Sequence, residues 1–564
     1  MSEEQQETTP SISAADVAAA EKLIGLNFTD AERDQLLDAV NNRAKQYEKL
    51  RAIKLENSVA PPLHFDPRPL RARSSAAERT YRMSAQGEVE RPENLEDVAF
   101  WPLTKLAELI RTRQVTSLEL TEMYLARLKR FDPFLHCVVT YTEDLAYQQA
   151  KRADEEIASG KYRSPLHGIP WGAKDLFAVR GYRTTWGAEP YRDQMIGVNA
   201  TIVERLEAAG AVLIAKLTLG ALAYGDIWFD ATTRNPWNLD EGSSGSSAGS
   251  GSAVAAGLVG FAIGTETLGS IVSPSTRCGV SGLRPTFGRI SRYGAMALAW
   301  SMDKAGPMCR SVEDCALVFT AVYGSDGLDA AVVDAPFEWN PDLDLRKLRV
   351  GYVEKAFEKA PEATEDTAGI AGLRETGGSD ADRAVLDVLR AQGIDLIPMT
   401  LPDDDLEPVV MILFAEAAAA FDDLTLSNQD DQLTWQDKEA WPNSFRAARF
   451  MTAVEYIRAN RARALLIEKM AALMDTVDVF VVPPFAANAL TLTNLTGHPA
   501  VVVPNGFNEQ GSPTSVTFIG RLYHEAEVLA VARLYQDATD FHLKHPPMNY
   551  AGESSPARIP AEAS

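Results

Sequence analysis

Apolar and polar positions alternate along this chain in distinct regimes. Residues 14–54 repeat apolar positions at helical spacing, with Thr29 and Glu32 set as a capping box ahead of the longer run. Pro61, Pro62, Pro67 and Pro69 then break the period, and residues 70–95 are polar enough for an extended arm. From about Trp101 the pattern becomes that of a large α/β protein. Thr116 and Glu119 form a second capping box, followed by Leu120, Met123, Tyr124 and Leu128 on one helical face. Residues 199–216 read as a helix, a glycine stop and a buried strand, the repeating unit of a sheet with helical cover. The pattern shifts between about 325 and 475, where an acidic Gly/Thr-rich stretch, 361–378, reads as a surface insertion ahead of long helical runs. Beyond Val477 buried strands return and a helix closes the domain. The expected division is therefore a helical extension and arm over 1–95, a main domain over 96–547 with a variable, partly helical region at 325–475, and a disordered tail over 548–564.

One stretch breaks both periods. Residues 242–252 are almost wholly serine and glycine, a composition that by itself suggests a flexible linker. The run leads straight into AVAAGLVGFAIG, apolar enough for a buried helix and a short buried strand. Small residues beside buried elements let main-chain amides approach a ligand, so the run reads as the floor of a site. Gly245-Ser246-Ser247-Ala248-Gly249 fits the formal G-x-S-x-G nucleophile elbow with Ser247 as its serine. The elbow needs a buried strand before it, whereas residues 235–241 are turn-rich and polar. A different base is offered by Lys174, which ends a short extended run over 169–173. Lysines usually lie at the surface, but this run has the small residues that would let the side chain turn inward.

HGIPWGAKDL, GSSGSSAGSGSAVAAG and GTETLGSIVSPS occur in that order, and together they resemble the amidase signature family of serine hydrolases. The resemblance implies an amidase signature fold with a large mixed central β-sheet covered by helices on both faces. It assigns Ser270 as nucleophile, Ser246 as a bridging serine preceded by a cis peptide bond, and Lys174 as base. The resemblance continues over about residues 100–547, and it implies an oxyanion hole of main-chain amides at Thr267, Leu268, Gly269 and Ser270. A lysine of ordinary pKa, about 10.4, is protonated at neutral pH. Lys174 is therefore expected to be desolvated and neutral, taking the Ser270 proton through Ser246 and returning it to the leaving amine. Ser247 is expected to matter far less than Ser270.

This chain departs from the family block, which usually reads G-T-D-T-G-G-S-I-R. Glu266 replaces the shorter acid and Val272 the arginine, which is expected to remove a supporting ion pair. Leu268 stands where glycine is usual and would be strained if that position needed positive φ. Its side chain is expected to face the pocket rather than the core. Tyr224, Trp300 and Phe445 are candidate pocket residues, although Phe445, like Trp435 and Trp441, also suits a plain core.

Charge and composition narrow the partners. Lys plus Arg total 55 against 78 Asp plus Glu, a net charge of −23 that opposes nucleic acid and anionic membranes. Seven scattered histidines and four cysteines, Cys137, Cys278, Cys309 and Cys315, show no ligand or disulfide spacing, so neither metal nor cofactor is expected. The N-terminus lacks the pattern of a signal peptide, and no apolar run is long enough to span a bilayer. The reading is a soluble cytoplasmic amidase acting on a small-molecule amide, with a homodimer left open. Two alternatives stand beside it: the glutaminase subunit of the tRNA-dependent amidotransferase, and an inactive binding protein of the same fold.

Overall fold

The computed structural model describes residues 11–55, 63, 79–358 and 377–550. The proline cluster, most of the 361–378 insertion and residues 551–564 of the tail lie outside these. The chain divides into two compact units, one built from residues 1–64 with 404–465 and the other from 65–403 with 466–564.

In the first unit the N-terminal helices are Ala14–Ile24 and Asp30–Ala52, separated at Gly25 rather than running on as one. Thr29 caps the second helix as expected, with Glu32 accepting from the Thr29 amide at 2.6 Å. Val17, Phe28, Leu36 and Val40 form a small core that also takes in Phe450. The longer helix packs on Glu407–Ala420 and Trp441–Ala448. These helices share a unit with a segment that begins only at residue 404.

The second unit contains a mixed sheet of eleven strands. In spatial order they are Val138–Tyr141, Val212–Leu217, Pro170–Lys174, Phe261–Glu266, Lys304–Cys309, Ser281–Arg284, Ala500–Phe507, Pro513–Gly520, Val479–Val482, Val350–Val353 and Leu396–Met399. Pro170–Lys174 is parallel to both of its neighbours, and both it and Val212–Leu217 are buried throughout. Continuous burial is what a parallel strand covered on both faces requires. The helix-stop-strand expected over 199–216 is present as Thr201–Ala209, Gly210 and Val212–Leu217. The second capping box also forms, and Leu120, Met123, Tyr124 and Leu128 are buried along Ser117–Leu135.

The serine and glycine run is not a linker. Residues 248–255 form a fully buried helix that packs on Pro170–Lys174 and Phe261–Glu266. Preceding it is a two-stranded hairpin outside the main sheet, so the support that a nucleophile elbow needs is missing. Residues 79–94 carry no regular structure but are anchored, for example by Ser84, whose amide and hydroxyl both donate to Glu313 at 2.7 Å. At the other end, Tyr550 is buried and its hydroxyl donates to the Pro236 carbonyl at 2.6 Å, so the start of the expected disordered tail is in fact packed. All four cysteines are buried and free. Among the described residues no helix is long and apolar enough to cross a membrane.

Close approach explains why the buried helix is so poor in side chains. A Cβ at Gly249 would lie 2.5 Å from both the Cys137 carbonyl oxygen and the Thr218 amide, which are main-chain atoms that cannot rotate away. At Gly251 the nearest atom would be 3.1 Å away. Gly249→Ala is therefore expected to destabilise the protein by about 1–3 kcal/mol through overpacking. In Gly251→Ala a milder clash opposes the roughly 1 kcal/mol gained in helix propensity. Thermal melting of the two variants side by side checks the difference, and equal losses would contradict it.

Candidate active site

The parallel strands Pro170–Lys174 and Phe261–Glu266 end at the same edge of the sheet, the edge at which open α/β sheets bind ligands. Lys174 terminates the first and Thr265 and Glu266 the second. Lys174 has no exposed surface. Its Nζ lies 2.8 Å from Ser246 Oγ, 3.0 Å from Ser247 Oγ, 2.9 Å from Thr265 Oγ1 and 3.5 Å from the Thr265 carbonyl. These partners are all uncharged. Burial pushes the lysine pKa well below its ordinary value, against a smaller opposing influence from Asp303 and Glu266.

For the neutral form of Lys174 the protons follow by counting. A neutral amine has two N–H groups and one lone pair. Ser247 Oγ donates to the Thr265 carbonyl and accepts from the Thr265 amide, both at 3.1 Å, so towards Lys174 it can only accept. If Thr265 Oγ1 takes the second N–H, the lone pair is left facing Ser246, whose hydroxyl then donates to it. Ser247 is thus more than a bystander, because it clamps the serine loop to the strand end and helps to orient the amine. The Gly245–Ser246 peptide is cis, in line with the family resemblance.

Ser270 sits on the turn between Phe261–Glu266 and the helix Val272–Cys278, buried but not sealed, at 8% exposure. Its carbonyl accepts from the Ser247 amide at 3.2 Å, which joins the turn to the serine loop. Among the described residues the main-chain amides of Thr267, Leu268, Gly269 and Ser270 donate no hydrogen bond, whereas the next two, Ile271 and Val272, both donate to Glu266 Oε2 at 2.9 Å. The left-handed position in this turn is Gly269, with φ of 88°, so Leu268 escapes the strain that was a concern. Its side chain is half-buried and does not line the cavity described below.

The expected loss of an ion pair is also corrected. Glu266 Oε1 accepts from Arg284 at 2.8 Å and from Asn494 Nδ2 at 2.8 Å. Arg284 goes on to Thr493 Oγ1 and the His498 carbonyl at 2.8 and 2.9 Å. Neither charged side chain is exposed. Burial raises the carboxyl pKa of Glu266, but Arg284 outweighs it and holds the group down at about 2. Glu266 thus has an ion pair although position 272 carries no arginine.

Beside the turn lies a cavity of about 350 Å³, reached by Thr265 and Thr267. Trp300 stands in its wall, half-exposed. Ala223 lines it, whereas the neighbouring Tyr224 does not. Phe445 has no exposed surface and stacks on Trp441 with ring centres 5.0 Å apart, so it belongs to the core of the first unit. Asp303, which accepts from Thr267 Oγ1 at 2.6 Å, was not singled out in the sequence. Burial raises its carboxyl pKa. Among the described residues no group of three or more His, Cys, Asp or Glu side chains could hold a metal ion.

Comparison with known proteins bears on this geometry. The family model described as Amidase matches residues 119–494. A glutamyl-tRNA(Gln) amidotransferase subunit from Roseiflexus sp. (strain RS-1) is 34% identical over 489 residues, covering 79% of this chain and 97% of the relative. Its counterpart from Methylococcus capsulatus is 33% identical over 495 residues, covering 79% and 98%. Among solved structures, native peptide amidase from Stenotrophomonas maltophilia superposes with a TM-score of 0.67 at 28% identity, covering 80% of this chain and 99% of its own. The match spans both strand ends and the serine turn, and the chain belongs to the amidase family, enzymes that act on amide C–N bonds.

Proposed function

We propose that the protein hydrolyses a carboxylic amide through an acyl-enzyme on Ser270. Ser270 Oγ attacks the carbonyl carbon while its proton passes to Ser246, whose own proton moves to the Lys174 lone pair. The carbonyl oxygen becomes an oxyanion among the unused amides of residues 267–270, of which each donor is typically worth about 3 kcal/mol. The C–N bond then breaks, the proton returns from Lys174 through Ser246 to the departing amine, and water releases the acid by the same route. The single observation that carries this reading is the 2.8 Å contact between Ser246 and an amine from which water is excluded.

A second reading has its own support. The curated relatives, at 31–34% identity over nearly their whole length, are subunits of glutamyl-tRNA(Gln) amidotransferases. On sequence grounds they favour glutamine as the amide and ammonia, passed to a tRNA-bound acceptor, as the useful product. The chemistry at Ser270 is common to both readings. Release of glutamate from glutamine, together with partner chains that co-purify with the protein, would select the second.

Four outcomes test the shared chemistry. Ser270→Ala is expected to abolish labelling by a fluorophosphonate and amide turnover without loss of melting temperature, because removing one hydroxyl from a turn of small residues opens almost no cavity. Ser247→Ala is expected to weaken turnover and lower the melting temperature while leaving Ser270 open to labelling; mass mapping of the label onto Ser247 would reverse the assignment.

Because the lowered pKa of Lys174 leaves the amine neutral above it and charged below it, kcat/KM should rise with pH through a value below the ordinary lysine range and then level off. Lys174→Arg keeps its charge at every accessible pH and should lose far more than tenfold, the change that corresponds to about 1.4 kcal/mol of barrier. An arginine variant within tenfold of wild type would remove the lysine from the proton path.

A further inference from the structure

The cavity next to the turn contains four charged side chains, and each is already committed within the protein. Arg292 forms a two-pronged pair with Asp329, Nε to Oδ2 at 2.8 Å and a terminal nitrogen to Oδ1 at 3.1 Å, and also donates to the Trp300 carbonyl at 2.7 Å. The Asp303 carboxylate accepts three bonds, from Thr267 Oγ1 at 2.6 Å and from the amides of Leu298 and Ala299 at 2.8 and 3.0 Å. Lys304 Nζ donates to the Met302 carbonyl. A charged ligand could be met here only by breaking one of these arrangements and leaving a buried polar group short of a partner.

The rest of the wall is apolar. Leu176, Phe177, Met296 and Leu298 are buried and face the space. At its mouth stand Tyr293, Trp300 and Leu328, exposed by 38%, 50% and 48%. Large apolar side chains left in water together, around an apolar cavity, mark a site for an apolar ligand. The volume of about 350 Å³ lies at the lower end of the roughly 300–1,000 Å³ usual for small-molecule pockets.

We propose that this cavity receives an uncharged apolar group of the scissile amide, aryl or branched alkyl, and that hydrophobic amides are the substrate class. The inference rests on the amide-hydrolase reading above and argues against glutamine, whose α-ammonium and α-carboxylate would find no uncommitted counter-charge among these groups.

The full-length protein would be tested with 3-phenylpropanamide, acetamide and glutamine. The phenyl amide is expected to exceed glutamine by at least about a hundredfold in kcat/KM, within the range that a specificity pocket supplies. Ala297→Trp places an indole in the cavity from a half-buried wall position, and should reduce the ratio of phenylpropanamide to acetamide turnover by about 10–200-fold, the usual range for filling such a pocket. Ala330→Trp, from an exposed wall position, serves as the second variant should the first fail to fold. Glutamine as the preferred amide, or a ratio unmoved in a folded variant, would overturn the proposal. Binding of 3-phenylpropanamide to Ser270→Ala, measured by calorimetry, separates the two levels of inference. Binding that is lost in the tryptophan variants upholds the cavity assignment even if turnover is absent, whereas fluorophosphonate labelling with no such binding leaves the serine chemistry standing and removes the substrate class.

Discussion

The proposed chemistry depends on keeping water away from one amine. A lysine at the protein surface is a cation at neutral pH, and a cation cannot take a proton from a serine. What makes Lys174 different is its position at the end of a parallel strand that is buried along its whole length, with only hydroxyls and a carbonyl for company. Had a carboxylate been within bonding distance, it would have held the proton in place. The nearest acids are engaged elsewhere, Glu266 by Arg284 and Asp303 by a threonine and two amides. The buried pair formed by Lys216 and Asp175, at 2.6 Å, does the same for the residue that follows Lys174, so the influence of the acids on the amine stays smaller than that of burial.

Desolvation of that kind demands close packing, which accounts for the composition of the serine and glycine run. The helix over 248–255 lies against the strands that carry Lys174 and Thr265, and its main chain comes too near Cys137 and Thr218 for a methyl group at Gly249. Serine at the neighbouring positions supplies hydroxyls without bulk. Ser247 shows the economy of this, because one oxygen ties two main-chain groups of Thr265 and an amine together.

Much of this was legible in the sequence, and the reasons are physical. Lys174, Ser246 and Ser270 lie in local blocks whose glycine and serine spacing reflects close main-chain approach, and the alternation of helix and strand around them follows hydrophobic period. What was not legible depends on partners distant in the chain. Glu266 and Val272 suggested a missing ion pair because the replacement, Arg284, belongs to another strand, and strand order cannot be read from periodicity. Leu268 suggested strain because the left-handed residue of a short turn cannot be placed without its geometry; it proved to be Gly269. Phe445 is a core aromatic because Trp441 stacks on it within one helix, which helical spacing allowed but did not decide. The N-terminal helices gave no sign that their companions begin near residue 404.

The relocated arginine has a consequence for how such chains are recognised. A pattern that demands an arginine two residues after Ser270 would reject this chain, although Glu266 meets a guanidinium and holds the first amides of the following helix. In this chain the charge pair bridges two strands instead of lying within one local block, so what identifies it is a contact rather than a letter at a position. A pair of this kind is found by asking which side chains meet.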